Sequence, residues 1–337
     1  MITSAIEIRQ RNKERIREAI QKHETCTKAD IVKETDLSMA TCSTALNEML
    51  EAKEILKVDQ IGAGIGRPSD LFSYNRDYLH VLSICVYTHA DHGSLDLAVA
   101  DALGGVIEQR QLTPGELSQQ TIEELVAERI AADPLIRTVG IGIPGVVSDG
   151  VIEFCDIKGL EKADFVRSLS ERFGVQVIVK NDMHIITYYL YHEQAERRGD
   201  FAAIYFPETS GYVGSGFIVN GHSLTGSTML SGSVWHVAEA FGVSPDEQAR
   251  LLNDRPAFLR FASQILTTIC CTINPASVVL LSNSLGDADA EEIRALCGKV
   301  LGPQHLPELR TDGHTFENYA LGLIRLTLDS TLFPFIV

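Results

Sequence analysis

Cysteine pairing is the first thing this 337-residue chain lacks. Its seven cysteines (Cys26, Cys42, Cys85, Cys155, Cys270, Cys271 and Cys297) are scattered, with no Cys-x-x-Cys pair, and the adjacent Cys270 and Cys271 fall in an apolar helical stretch. That spacing offers neither a zinc ribbon nor a disulfide framework, so reduced, mostly buried thiols are expected. Long hydrophobic runs are missing too. No apolar stretch reads as long enough to cross a bilayer, and the opening MITSAIEIRQRNKERIREAI has no apolar signal-peptide core. A cytoplasmic location without membrane contact is the expectation. Positive charge is also scarce: 29 Lys and Arg face 45 Asp and Glu, a net charge of −16, which excludes a general nucleic-acid coat protein. The shortage is uneven. The first 80 residues carry 12 basic and 13 acidic groups, whereas the remaining 257 carry 17 and 32. Only the N-terminal part is suited by charge to touch DNA.

What is present is ordinary globular composition, 45% hydrophobic and 22% charged, over a length that suits two or three domains. In RQRNKERIREAIQKHE, Arg9, Arg11, Lys13, Arg15 and Arg17 fill the first part of an amphipathic helix with Ile16 and Ile20 on its apolar side. TKADIVKETDLS predicts a short helix with Thr27 as N-cap and Asp30 three residues on, a variant of the capping box. LSMATCSTALNEMLEAKEIL begins a third helix at Ser38, with Met39, Cys42, Leu46, Met49 and Leu50 on one face and Ala40, Thr41, Thr44, Asn47 and Glu48 on the other.

A short helix, a tight turn and a longer helix make a helix-turn-helix pattern. The outward residues of the third helix are small and hydrogen-bonding, as entry into a major groove requires. ILKVDQ, the glycine-rich IGAGIGRP and SDLFSYN then read as two strands around a tip, completing a winged helix-turn-helix. Thr41, Thr44 and Asn47 are candidate readers of base edges. Arg9, Arg11 and Arg67 are candidate phosphate anchors. A three-helix dimerisation or docking module is the alternative.

From about Leu79 the pattern becomes α/β. LHVLSICVYT, GSLDLAVADA and GVIEQRQL predict an antiparallel meander, followed by alternating helices and strands. A second lobe begins near Asp200. There TSGYVGSGFIVNG brings Gly211, Gly214 and Gly216 together, where backbone N–H groups could approach an anion, and the apolar run Phe217–Val219 places these glycines at a hairpin turn.

In their order, GRPSDLFSYN, GIGIPGVV, VKNDMHIITYY, TSGYVGSGFIVNG and INPASVVLL resemble the ROK family of repressors, open reading frames and sugar kinases, over nearly the whole chain. The resemblance implies a winged helix-turn-helix (1–76) ahead of a two-lobed actin-like ATPase (ribonuclease H-like) fold. The first lobe would span 77–198 with a C-terminal helix at about 315–337, and the second 199–314. It also implies sites, several of which are altered. The family's kinases receive ATP phosphates on an Asp-x-Gly-Gly-Thr-type turn. Here ICVYTHADHGS puts Tyr87, Thr88 and His89 in its place. Ser282, Asn283 and Ser284 replace the glycines under adenosine, so the Gly211–Gly216 loop is expected to be retained for shape.

On the sugar side, Asn181 and Asp182 match the family's Asn-Asp pair, whose Asp is a general base in kinases. Helix capping alone would also explain Asp182. The Gly-Glu-x-Gly-His motif survives as Gly232 and His236, with Ser233 and Trp235 in place of the glutamate and second glycine. The cysteines of the family's zinc loop are absent. His236 is either a ligand contact or a packed histidine. Trp235 either stacks on a sugar or fills space. Asp156 stands near the position of the family's loop asparagine, and Leu160 near that of its tryptophan.

These readings converge on a sequence-specific transcriptional regulator of carbohydrate-related genes. It is expected to be a repressor with a non-catalytic effector domain, to need neither zinc nor ATP, and to bind operator DNA and a sugar-like effector at Asn181, Asp182, His236, Ser233 and Asp156. A homodimer or higher homo-oligomer is expected. A sugar kinase with a degenerate phosphate site and a ligand-free scaffold are the alternatives.

Overall fold

Side-chain caps decide where the N-terminal helices start. In the computed structural model, which describes residues 5–61, 69–89, 92–113, 116–155, 157–194, 199–208 and 212–334, Thr27 and Asp30 form a full capping box ahead of α2 (Lys28–Thr35). Asp36 ends α2 in the left-handed region at φ 53°, and Ser38 caps α3 (Met39–Glu51). With α1 (Ala5–Gln21), β1 (Cys26–Thr27), β2 (Ile55–Ile61) and β3 (Ser69–Tyr74), they make three helices against an antiparallel sheet of order β1-β3-β2. This is the element order of a winged helix. Ile16, Ile20, Ile31, Leu46, Met49 and Ile55 form its centre. Met39 departs from expectation, being 51% exposed while Ala45 is buried. The inward stripe starts one turn later, at Cys42, and continues through Ala45, Leu46 and Met49 at helical spacing.

The rest of the chain repeats one topology twice. The first lobe contains β4 (His80–His89), β5 (His92–Ala100), β6 (Val106–Leu112), α4 (Gln119–Ala132), β7 (Ile136–Ile143), β8 (Gly145–Ser148), β9 (Val151–Cys155), α5 (Phe165–Phe173), β10 (Gln176–Asn181) and α6 (Asp182–His192). The second contains β11 (Phe201–Tyr205), β12 (Gly214–Val219), β13 (His222–Ser223), α7 (Trp235–Ala240), α8 (Pro245–Leu251), α9 (Arg255–Ile273), β14 (Ser277–Leu281), α10 (Asp287–Leu301) and β15 (Glu308–Asp312), and α11 (Thr315–Leu332) closes the chain. Each lobe opens with an antiparallel meander, β4-β5-β6 or β11-β12-β13. Two parallel strands then add on the far side of its first strand, giving the orders β10-β7-β4-β5-β6 and β13-β12-β11-β14-β15. α6 and α11 pack against each other between the sheets, sharing a core with Tyr87, Phe201, Ala203, Val279 and Leu281.

Two expectations change here. Gly214 and Gly216 are not turn residues: they pair with Tyr205 and Ala203 inside β12. A Cβ on Gly216 would lie 2.6 Å from the Met183 carbonyl oxygen, so the glycine allows α6 to press onto the strand. The hairpin turn comes later, at Asn220 and Gly221, both at positive φ. One helix, Arg255–Ile273, is after all long and apolar enough to cross a membrane by length and composition. Its Phe258, Ala262, Ile265 and Ile269 are packed into the second-lobe core. Gly211, Arg67, Asp156 and the tail from Phe335 lie outside the described residues.

Candidate functional site

The first turn of α6 faces the groove between the lobes, and its capping separates the roles of Asn181 and Asp182. Asn181 is the N-cap: its side-chain oxygen accepts from the His184 amide at 3.1 Å, and its Nδ2 donates to the Gly145 carbonyl at 2.8 Å. Asp182 is thereby released from the capping duty that could have explained it. Its half-buried carboxylate, which accepts from the Met183 amide at 2.8 Å, acts electrostatically on Tyr205, Tyr319 and Cys85. Burial, with Asp182 and Glu208 adding to it, pushes the Tyr205 hydroxyl up to about 12.

His184, one residue into the turn from Met183, reaches the backbone of Ser231, and burial holds it below the ordinary histidine value. The amide and hydroxyl of Ser215 both donate to the Gly232 carbonyl, at 3.0 and 3.1 Å. The segment Ser231–Gly232, just ahead of Ser233, is thus tied to both α6 and β12. His236 sits differently. It is exposed on α7, stacked on Trp235 with ring centres 3.5 Å apart, and Trp235 in turn meets Tyr212 at 4.9 Å. Together these rings make an aromatic shelf.

Near the end of β4, where the resemblance implies nucleotide phosphates, aromatic rings pack together, Phe316 remaining 52% exposed. Tyr87, at the end of β4, is 7% exposed and packs edge-on against Phe316 at 5.4 Å and Tyr319 at 5.3 Å. The Tyr319 hydroxyl donates to the Val86 carbonyl at 3.4 Å. Gly142 makes room for it, since a Cβ there would lie 2.6 Å from a Tyr319 ring carbon. Beyond β14, Ser282 is 2% exposed and its hydroxyl is 3.0 Å from that of Ser284. The first turn of α10 is closed by its own Asp289, which accepts from Gly286 N at 2.8 Å and is held by Arg255 at 2.9 Å. Among the described residues no three His, Cys, Asp or Glu converge to hold a metal ion.

On the N-terminal module, Thr44 and Asn47 are exposed on α3, with Thr41 half-buried beside them. Each threonine hydroxyl is satisfied locally, Thr44 by the Ala40 carbonyl at 3.1 Å and Thr41 by Ser38 at 2.9 Å. Arg11 is exposed, and Arg9 is paired with Glu48 of α3, which Lys13 also contacts at 2.7 Å. Arg9 therefore steadies α3 through a carboxylate that would otherwise repel a phosphate.

Residues 91–248 match the ROK family. Two curated relatives are similar over about two thirds of this chain. One is the "Putative xylose repressor" of Caldicellulosiruptor sp. (strain Rt8B.4), 24% identical over 69% of this chain and 60% of its own length. The other is the xylose repressor of Bacillus subtilis (strain 168), 22% identical over 68% and 61%. The chain thus spans about three fifths of the length of the curated relatives it matches. The solved structure of a ROK family transcriptional regulator, a homolog of the E. coli MLC protein, superposes over 96% of this chain and 98% of its own with a TM-score of 0.71 at 16% identity. ROK-family sugar kinases cover 75% of this chain. The fold of nearly the whole chain is that of this solved structure.

Within that fold, sequence reasoning passed over His184, Tyr205, Phe316 and Tyr319. His184 had a readable signal, because it stands three residues after an N-cap asparagine and so must face the same end of the helix. The two α11 aromatics had none, since only the folded chain brings them to Tyr87.

Proposed function

We propose that the protein is a DNA-binding transcriptional repressor whose ROK lobes sense a sugar or sugar derivative without phosphorylating it. The observation that supports this reading is the combination of a winged-helix module, with Thr44 and Asn47 presented on α3, and the packing of Tyr87 against Phe316 and Tyr319 where the resemblance implies nucleotide phosphates. Phosphoryl transfer depends on positioning phosphates against backbone donors and a metal, and a packed tyrosine is a poor substitute for the small residues such a turn needs. The relatives' names make D-xylose the first effector to test. Asp182, Asn181, Ser233 and the Trp235–His236 shelf are the proposed contacts, with Asp156 a further candidate from the sequence. Arg11 and Arg67 would hold DNA phosphates, while Thr41, Thr44 and Asn47 would read bases. A homodimer would present two modules to half-sites, and a cytoplasmic location follows from this role.

The test is selection of DNA from a random pool by the purified full chain, repeated with Thr44→Ala/Asn47→Ala. Enrichment of one sequence family by the parent, lost in the variant, is expected. Each good base contact is worth about 1–3 kcal/mol. ADP release from Mg-ATP in the presence of D-xylose or another aldose, without any selected DNA, would establish a kinase instead.

A further inference from the structure

The winged-helix module is not a bead on a tether. Its core runs without a break into the first lobe: Ile16, Ile20 and Ile31 belong to the same buried cluster as Val81, Ala98 and Ala100 of β4 and β5, and as Ile324, Leu328, Leu332 and Phe333 at the end of α11. Inside that seam lies a charged group. The Arg17 side chain is 7% exposed and Glu54 is 6% exposed, with Arg17 Nε 2.5 Å from Glu54 Oε1. Tyr74 donates to the same oxygen at 3.2 Å. Arg17 also sends Nη1 across to the Leu332 carbonyl and lays its guanidinium over the Phe333 ring at 5.4 Å.

Four carbonyls at a helix end have no partner within the helix, and a cation there is favoured by the helix dipole. Arg17, from α1, therefore caps the C-terminus of α11. Its planar fork engages a carboxylate on one element and a carbonyl on another at once, which a lysine could not do.

α11 is equally tied to the groove at its other end. Tyr319 and Leu323 share a core with Met183 and Ile185 of α6, and Gly322 lets the helices close to where a Cβ would be 2.9 Å from the Ile185 carbonyl. Tyr188 donates to Asp329 at 2.7 Å. One helix thus touches α6, which begins at Asp182, along most of its length, from Tyr319 to Asp329, and the winged-helix module with its last turn.

We propose that Arg17 is a positioning residue that locks the winged-helix module to the end of α11, so that a displacement of α6 on effector binding reorients α3. The proposal rests on the repressor reading given above, and its test separates the two. Arg17→Met alone would strand Glu54 in the interior, so the informative variant is Arg17→Met/Glu54→Gln, which removes both charges at similar volume.

Two readouts are taken on the full chain, with D-xylose as the probe. The first is amide hydrogen exchange. The last turn of α11 and the facing part of α1 should exchange at least about tenfold faster in the double variant, while the first half of α11, around Tyr319 and Leu323, is unchanged. The second is affinity for DNA selected by the parent. Allosteric effectors typically change affinity by about 5- to 150-fold, and that ratio should fall below about twofold in the variant while its affinity for D-xylose is retained. Unchanged exchange, or an unchanged ratio, overturns the proposal.

If the parent selects no DNA or ignores D-xylose, the functional reading fails and exchange alone decides the role of Arg17. Should the double variant not fold, Phe333→Leu keeps the charges and removes the ring under the guanidinium. It should speed exchange in the same turn by about two- to threefold, and no change there counts against Arg17 equally.

Discussion

Near the end of β4 Tyr87, Phe316 and Tyr319 pack their rings together, whereas at the first turn of α6 Asp182, His184 and the Ser231–Ser233 segment bring polar groups side by side. Both ends are built on the same pair of helices. The aromatic end draws its rings from α11 and the last residues of β4, while the polar end draws on the α6 cap and the loop after β13. Changing the residues on α11 therefore alters one end without moving the donors and acceptors at the other. On the proposed reading, this is how a kinase-like fold keeps a sugar site while giving up nucleotide.

The largest expected effect comes from opening the aromatic end. Tyr319 is 3% exposed and wedged between Tyr87, Gly142 and the Val86 carbonyl. Tyr319→Ala should cost about 3–5 kcal/mol, as aromatic deletions from cores do, and lower the Tm by roughly 10 °C. Even so, on the proposed reading Mg-ATP should not raise the Tm of the variant, because Ser282, Asn283 and Ser284 still stand in place of the glycines expected under adenosine. A Mg-ATP-dependent rise would break the comparison by showing that the rings alone exclude nucleotide.

Next comes the polar end. Asn181 does the capping, so Asp182→Asn should alter basal stability by only about 1 kcal/mol, the scale of its one hydrogen bond to the Met183 amide. It should also remove the stabilisation by an effector, which is about 2.7 kcal/mol at a hundred times Kd. A scan of sugars by thermal shift, parent against variant, checks both halves of that statement. Undiminished shifts in the variant would take Asp182 out of the site. A smaller effect is expected of Gly216→Ala, which pushes α6 off β12 and should cost about 1–3 kcal/mol as overpacking does, read as a lower urea midpoint.

Much of this architecture was legible along the chain, because its cues are local. Thr27 with Asp30, and Ser38, announce helix starts by cap chemistry, and the meander of the first lobe shows in alternating apolar residues before any contact is known. The misreadings share a cause as well. Gly214 and Gly216 look like turn residues until α6 is laid across them, and Met39 looks apolar-faced until the helix is seen to begin at that residue. Arg17 reads as one more surface cation in a basic stretch, yet its partners Glu54 and Leu332 lie 37 and 315 positions away. The Tyr319–Val86 hydrogen bond spans 233 positions. Nothing in a local window carries such separations.

The smallest prediction sharpens the polar end through pH. Burial, with Lys180 adding to it, lowers the pKa of His184 below 6.5, while its hydrogen bond to Ser231 works the other way. As pH falls through 6.5 the unfolded chain takes up a proton at this histidine before the folded chain does. The unfolded state then binds more protons, and stability must fall with decreasing pH. The contribution of neutral His184 is thus complete above about pH 6.5 and is lost downward from there until the folded group also titrates. Urea midpoints at a series of pH values from neutral to mildly acidic should decline more steeply for the parent than for His184→Gln, which keeps a hydrogen-bonding side chain without a titrating ring. Parallel declines would mean that His184 is solvated in both states and that the Ser231 segment is not docked on α6. The polar end would then be open to solvent, and the contrast with the aromatic end would be sharper than the present packing implies.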